Sequence, residues 1–195
     1  MQIYFDEILG FDCGVDEAGR GPWAGPVVAA AVILPVKFSI DNIDDSKKLS
    51  KKQLEVSFKN ITQMADFGIG YGSAKEIDSY NILQATFLAM RRAISNLKSQ
   101  PSRALIDGNI VPSGLLCPAK SIVKGDSKVA SIAAASIVAK VTRDRLMKDL
   151  AQLYPGYGWE RNFGYGVKKH QEALKLLGLT PEHRRSFKPI HNMLC

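Results

Sequence analysis

Polar and apolar residues alternate near the start of the chain. Leu9, Phe11, Cys13 and Val15 interleave with Gly10, Asp12, Gly14 and Asp16, which predicts a strand with Asp16 near its end. A loop rich in Gly and Pro follows. Residues 27–34 are then apolar without interruption, which predicts a strand covered on both faces and stopped by Pro35. The short link makes the two strands antiparallel neighbours. Ser50-Lys51-Lys52-Gln53 has the form of a capping box, and Leu54, Phe58 and Ile61 follow at helical spacing. Phe67, Ile69 and Tyr71 alternate with Gly68, Gly70 and Gly72, a third strand whose glycine face lets another element pack very close. Ile77, Ile82, Phe87, Met90, Ile94 and Leu97 mark a long amphipathic helix.

Pro101 and Ser102 break the pattern. Residues 103–108 read as a short strand ending in Asp107-Gly108, and residues 119–123 as a fifth, edge strand. Lys124-Gly125-Asp126-Ser127 opens a helix running to about Leu150, made narrow by Ala130, Ala133, Ala134, Ala135 and Ala139. Residues 154–166 are rich in Gly and aromatics. A short helix over 167–177 ends at Gly178, and Thr180-Pro181 starts another, with Thr as cap and Pro at the first position. The order β-β-α-β-α-β-β-α with a helical tail predicts an α/β protein with a core over residues 1–153 and a basic helical lobe over 154–195.

Charge adds a partner to this outline. The 195 residues carry 26 Lys plus Arg against 19 Asp plus Glu, a net charge of +7 that favours a polyanion such as nucleic acid or an anionic membrane surface. Residues 161–195 hold seven basic side chains and two acids, so +5 of that charge lies there. That segment is therefore expected to contact the polyanion, with Arg184 and Arg185 among the contacts. Cys13, Cys117 and Cys195 fit neither a zinc pattern nor a disulfide framework, which points to a reducing cytosol. The first residues lack the features of a signal peptide, and the longest apolar run, residues 26–36, is too short to span a membrane. A cytoplasmic protein is the expectation.

The chemistry gathers on acids. Asp16 and Asp107 each sit near a strand end before a glycine-bearing turn, and Asp126 follows Lys124-Gly125. If the two strands are neighbours, their ends lie about 5 Å apart. Asp16, Glu17, Asp107 and Asp126 converging there would repel one another, and bound divalent cations would relieve the repulsion. Hard oxygen ligands select Mg²⁺ or Mn²⁺ over zinc. Two such ions about 4 Å apart activate water and stabilise the leaving oxygen in phosphodiester cleavage. Singly, each piece has a plainer reading: a solvated Asp-Glu turn, an Asp107-Gly108 turn, an Asp126 helix cap. In a regular strand Asp16 and Glu17 point to opposite faces, so a shared cluster requires a bend or an indirect contribution. The Gly19-Arg20-Gly21 turn presents backbone N–H groups to a polar or anionic ligand.

Gly14-Val15-Asp16-Glu17-Ala18-Gly19-Arg20-Gly21-Pro22, Asp45-Ser46-Lys47-Lys48-Leu49-Ser50, Ile106-Asp107-Gly108 and Lys124-Gly125-Asp126 together resemble ribonuclease HII. So do Ala134-Ala135-Ser136-Ile137-Val138-Ala139-Lys140-Val141-Thr142-Arg143-Asp144, Gly164-Tyr165-Gly166 and His183-Arg184-Arg185-Ser186-Phe187, in family order from about residue 10 to 190. The resemblance implies an RNase H-like fold, a mixed five-stranded sheet flanked by helices with a small C-terminal helical lobe. It implies a monomeric endonuclease that cuts RNA in RNA–DNA hybrids and on the 5′ side of single ribonucleotides in duplex DNA, leaving 3′-hydroxyl and 5′-phosphate ends. Asp16, Glu17, Asp107 and Asp126 become its metal-binding catalytic acids, for two Mg²⁺ or Mn²⁺ ions. Gly19-Arg20-Gly21 becomes the reader of the ribose 2′-hydroxyl, the group that separates RNA from DNA. Tyr165 becomes the aromatic that stacks on the adjoining deoxyribose, and Lys47 lies near the substrate phosphates. His183 stays open between a place at the site and helix packing. No docking motif for a protein partner stands out. The rival reading is ribonuclease HIII, a relative that typically has an extra N-terminal domain and a glutamate as its last acid, where this chain has Asp126.

Overall fold

The computed structural model describes residues 11–36, 38 and 49–194. Lys47, with the Asp45-Ser46-Lys47-Lys48 stretch, lies outside the described residues, as do Leu9 and Cys195. Strands β1 (Asp12–Ala18), β2 (Val27–Ile33), β3 (Asp66–Gly72), β4 (Arg103–Asp107) and β5 (Ala119–Ile122) form one sheet in the order β3-β2-β1-β4-β5. β2 is antiparallel to both β1 and β3, while β1, β4 and β5 run parallel. The sheet is mixed, as the family resemblance implies, and β5 is an edge strand, as the pattern predicts.

The continuous apolar run of β2 still obeys a period of two. Ala30 and Val32 pack with α1 (Lys51–Met64) and α3 (Ala130–Leu153), whereas Val27, Ala29, Ala31 and Ile33 pack with α2 (Ala74–Ser95). Helices therefore cover both faces. α1 starts with the expected capping box, Ser50 exchanging bonds with Gln53. The glycine face of β3 meets α2 directly: a Cβ on Gly68 or Gly70 would lie 2.1 or 2.0 Å from a carbonyl oxygen of that helix. α3 approaches β1 equally closely. A Cβ on Gly14 would sit 2.1 Å from the backbone carbon of Ser131, where no side chain can yield. Gly14→Ala is expected to cost about 3 kcal/mol, read as a lower urea midpoint at unchanged m-value.

Three expectations are corrected. Phe11 is not part of the inward face; it has φ +60° and is exposed. The helix expected from Lys124 is interrupted: a single 3₁₀ turn spans Gly125–Ser127, and α3 starts only after Val129. Lys124 adopts a left-handed conformation (φ 56°), which turns the chain sharply into Asp126. Thr180-Pro181 starts no helix: Thr180 Oγ1 accepts the Glu182 N–H at 3.2 Å as a cap would, but only a turn follows, and the Thr180 hydroxyl and N–H also bond the His183 ring at 2.9 Å. A short α4 (Trp159–Asn162) lies inside the aromatic-rich loop; α5 (Lys168–Leu177) and α6 (Lys188–His191) complete the chain.

The elements after α3 pack on its C-terminal half and on the loop between β1 and β2. Trp159, Tyr157, Leu174 and Ile190 bury themselves against Met147 and Ala24. Backbone bonds tie that loop to the tail: Trp23 N–H to Gly164, Gly25 N–H to Glu182, and Arg184 N–H to Trp23. The loop that follows the acidic pair is thus held between α3 and the C-terminal lobe.

Candidate active site

Parallel pairing of β1 and β4 ends at Val15 opposite Ile106. The next residues are Asp16 and Asp107, so two acids from distant sequence come out side by side at the end of the sheet. The Gly125 N–H donates to Asp107 Oδ1 at 2.7 Å, which ties the turn carrying Asp126 to the end of β4. Asp16, Glu17, Asp107 and Asp126 line one cleft of about 360 Å³ together with Gly19, Arg20, Gly21 and Tyr165.

The strand does not bend to bring Asp16 and Glu17 together. Its pairing with β2 stays regular through Ala18 opposite Val28. Both side chains reach the cleft because it lies over the strand ends, where β4 has stopped at Asp107 and the chain turns away at Gly19 (φ +94°). Asp16 is buried, and burial lifts its carboxyl well above the usual range, with the charges of Glu17 and Asp107 adding to the effect. Burial raises Glu17 as well, opposed by Arg20 Nη1, which sits 3.2 Å from Glu17 Oε1. Among the described residues no group of three or more His, Cys, Asp or Glu side chains stands arranged to hold a metal ion without movement. The donors are nevertheless all hard oxygens, partly withdrawn from water and mutually repelling, which is the chemistry that a Mg²⁺- or Mn²⁺-sized cation satisfies.

The remaining wall of the cleft is α3, with Ser136, Lys140, Arg143 and Asp144. Asp144 binds Lys140 Nζ at 2.7 and 2.9 Å. Arg143 is the residue that reading the pattern overlooked. Its signal was a charge on the buried stripe Ala139, Arg143, Met147, at spacings of four. Its guanidinium donates from Nε to Pro26 O at 3.0 Å, from Nη1 to Phe163 O at 3.0 Å and from Nη2 to Ala24 O at 3.2 Å. A Cβ on Gly19 would lie 1.9 Å from that Nε, so only glycine fits the turn.

Arg184 does not reach the surface on which a phosphate contact was expected. It is fully buried and donates from Nη2 to Gly19 O at 2.6 Å, from Nη1 to Arg20 O at 2.9 Å and from Nε to Gly25 O at 2.9 Å. Two guanidiniums thus hold six backbone carbonyls around one loop. Burial pushes Arg143 down to about 10, and burial with the nearby charge of Arg143 pushes Arg184 down to about 9, so both stay cationic at neutral pH. Arg185 is exposed, its main-chain N–H bound to Asp78 at 3.0 Å. Arg161, Lys168, Lys169, Lys175 and Lys188 are exposed as well.

Tyr165 is 48% exposed and faces Gly21, where a Cβ would stand 3.5 Å from its ring. Its backbone is fully engaged. Phe163 O is held by Arg143, Gly164 O by the Trp23 N–H, Tyr165 O by Val167 N–H and the His170 ring, and Gly166 O by Gln171. His183 is buried and away from the cleft, packed among Tyr157, Trp159 and His170.

A mixed sheet flanked by helices, with acids gathered over the ends of its two central parallel strands, defines an RNase H-like nuclease. The solved ribonuclease H2 from Pyrococcus horikoshii OT3 shares this fold at a TM-score of 0.80 and 28% identity, over 94% of this chain and 97% of that one. Bst-RNase HIII, solved in complex with Mn²⁺, is alike in fold at a TM-score of 0.78 and 17% identity, over 94% of this chain and 69% of that one. A ribonuclease HII from Jannaschia sp. (strain CCS1) is 57% identical over 189 residues, 97% of this chain and 95% of the relative. The family model of ribonuclease HII matches residues 13–190. The chain belongs to the ribonuclease HII family, endoribonucleases that hydrolyse RNA in RNA–DNA hybrids.

Proposed function

We propose that this chain cuts both long RNA–DNA hybrids and single ribonucleotides embedded in duplex DNA, on the 5′ side of the ribonucleotide, leaving 3′-hydroxyl and 5′-phosphate ends. The observation that carries this reading is the meeting of three parts in one cleft: four acids, a glycine turn and a half-exposed tyrosine. Asp16, Glu17, Asp107 and Asp126 would hold Mg²⁺ or Mn²⁺, in a two-ion arrangement that supplies an activated water and neutralises charge on the departing 3′-oxygen. Every other part of the task falls to the chain itself. Arg184 engages the carbonyls of Gly19 and Arg20 from behind, so the turn meets a ribose through its N–H groups and without side-chain bulk at Gly19 and Gly21. Tyr165, opposite Gly21, stacks on the neighbouring deoxyribose and so tests for an RNA-to-DNA junction.

Residues 154–195 act as the substrate lobe. Arg161, Lys168, Lys169, Arg185 and Lys188 supply its exposed positive charge to the duplex backbone, and Lys47 adds a phosphate contact from the family pattern. The chain works as a monomer in the cytoplasm, where free Cys13 and Cys117 stay reduced. No helix among the described residues is long and apolar enough to cross a membrane.

The test is a DNA duplex with one internal ribonucleotide beside a long hybrid, each with Mg²⁺, Mn²⁺ or EDTA. Cleavage of both is expected with either ion and none in EDTA. Tyr165→Ala is expected to lose single-ribonucleotide cleavage about tenfold more than hybrid cleavage. Equal losses would make Tyr165 a structural residue.

A further inference from the structure

We propose that the buried His170–His183 pair is a positioning relay that sets Tyr165, and through it the preference for ribonucleotide junctions. The inference rests on the role of Tyr165 given above. The proton positions follow from the partners. His183 Nδ1 accepts the Thr180 N–H at 2.9 Å, so the proton of a neutral His183 sits on Nε2. That atom lies 3.1 Å from His170 Nε2, which also accepts the Trp159 indole N–H at 3.1 Å. His170 Nε2 is therefore an acceptor, and its proton sits on Nδ1, 3.0 Å from the carbonyl oxygen of Tyr165. One direction of donation fits the whole chain, with the single lone pair of His170 Nε2 shared between the His183 and Trp159 donors: Thr180 to His183, His183 to His170, His170 to Tyr165.

Neither ring lines the cleft, which excludes direct chemistry on the substrate. All four ring nitrogens are engaged, which excludes a metal site. A second proton on either ring would set two donors face to face, and burial opposes it: His183 is pushed down to about 4, and His170 is lowered too. What the pair does is fix a peptide plane. His170 and Gln171, both in the first turns of α5, hold the carbonyls of Tyr165 and Gly166, while the Tyr165 ring is left half exposed. His183 is also the residue before Arg184, which holds the Gly19–Arg20 carbonyls. Two adjacent residues thus brace the two readers of the cleft, one through imidazoles and one through a guanidinium.

The test compares His170→Phe, which keeps ring bulk without a donor, with His170→Asn, whose amide nitrogen replaces Nδ1. Tyr165→Ala is run beside them, and the readout is the ratio of single-ribonucleotide to hybrid cleavage. His170→Phe is expected to lower the ratio about fivefold or more, through kcat, and His170→Asn to restore most of it. If Tyr165→Ala lowers the ratio and His170→Phe does not, the relay is overturned while the role of Tyr165 stands. If Tyr165→Ala leaves the ratio unchanged, the role of Tyr165 fails first and the relay falls with it. Imidazole ¹⁵N spectra of the unaltered protein test the relay without any variant. They are expected to show Nδ1–H in His170 and Nε2–H in His183 at neutral pH; the reversed tautomers, or a cationic ring, overturn it.

Discussion

Asp16→Asn is expected to abolish cleavage, by about a thousandfold or more, while leaving substrate binding nearly intact. The same substitution is expected to make the metal-free protein more stable. Asp16 is buried with Glu17 and Asp107 close by, and both circumstances disfavour its charge. Asparagine removes that charge but keeps an oxygen to accept the Glu17 N–H, now bonded at 2.7 Å. A melting temperature higher by roughly 2–4 °C in EDTA corresponds to about 1 kcal/mol in a chain of this size. Single-turnover cleavage and calorimetry are the measurements. Retained turnover would remove Asp16 from the catalytic set, and an unchanged or lower melting temperature would mean that its charge is already compensated in the metal-free protein.

Arg184→Met and Arg185→Gln are expected to part company although the residues are neighbours. Arg184 is fully buried and its three bonds all go to backbone carbonyls of the loop after the acidic pair. Methionine fills much of the space but leaves those acceptors unpaired, at a cost of about 3 kcal/mol or more. Stability and activity on every substrate should fall together, with the salt dependence of whatever binding remains unchanged. Arg185→Gln should leave stability within about 0.5 kcal/mol and lower the slope of log affinity against log salt by up to about one. A full loss of slope in Arg184→Met with normal stability would return that residue to the surface role first read from its charge.

The contrast shows where sequence reading stops. All five strands were legible: β1 and β3 from a period of two that polar and glycine positions reveal, β2 from an unbroken apolar run, and β4 and β5 as short segments bounded by breakers. Gly68 and Gly70 also announced a close neighbour, since a missing side chain in a strand signals close approach, though not that the neighbour is a helix. Boundaries set by single torsions were less legible. The left-handed Lys124 opens a separate 3₁₀ turn before α3, and Thr180 bonds a histidine ring beside a turn that no helix continues. The acids could be named from their place before glycine turns, but their assembly depended on β1 and β4 being parallel neighbours, a non-local fact. Asp16 and Glu17 alternate as a strand requires and still both reach the cleft, because β4 has ended on one side of them while β2 remains paired on the other. The buried arginines were least legible of all. Charge alone says surface, and only a loop full of unpaired carbonyls, visible once the chain has folded, gives such a cation a reason to be inside.

The four successive carbonyls at Phe163, Gly164, Tyr165 and Gly166, each with its own donor, have a consequence for kinetics. A segment tied at every peptide loses its conformational entropy when the chain folds, so little of that loss remains to be incurred when a duplex arrives. If Tyr165 has the proposed role, recognition is expected to proceed as rigid docking: the encounter rate would follow ionic strength through the exposed lysines and arginines, and discrimination between ribose and deoxyribose would be expressed in how long the duplex stays. The free energy that distinguishes one sugar oxygen is thereby kept for the contact itself and is not consumed in ordering the surface that makes it.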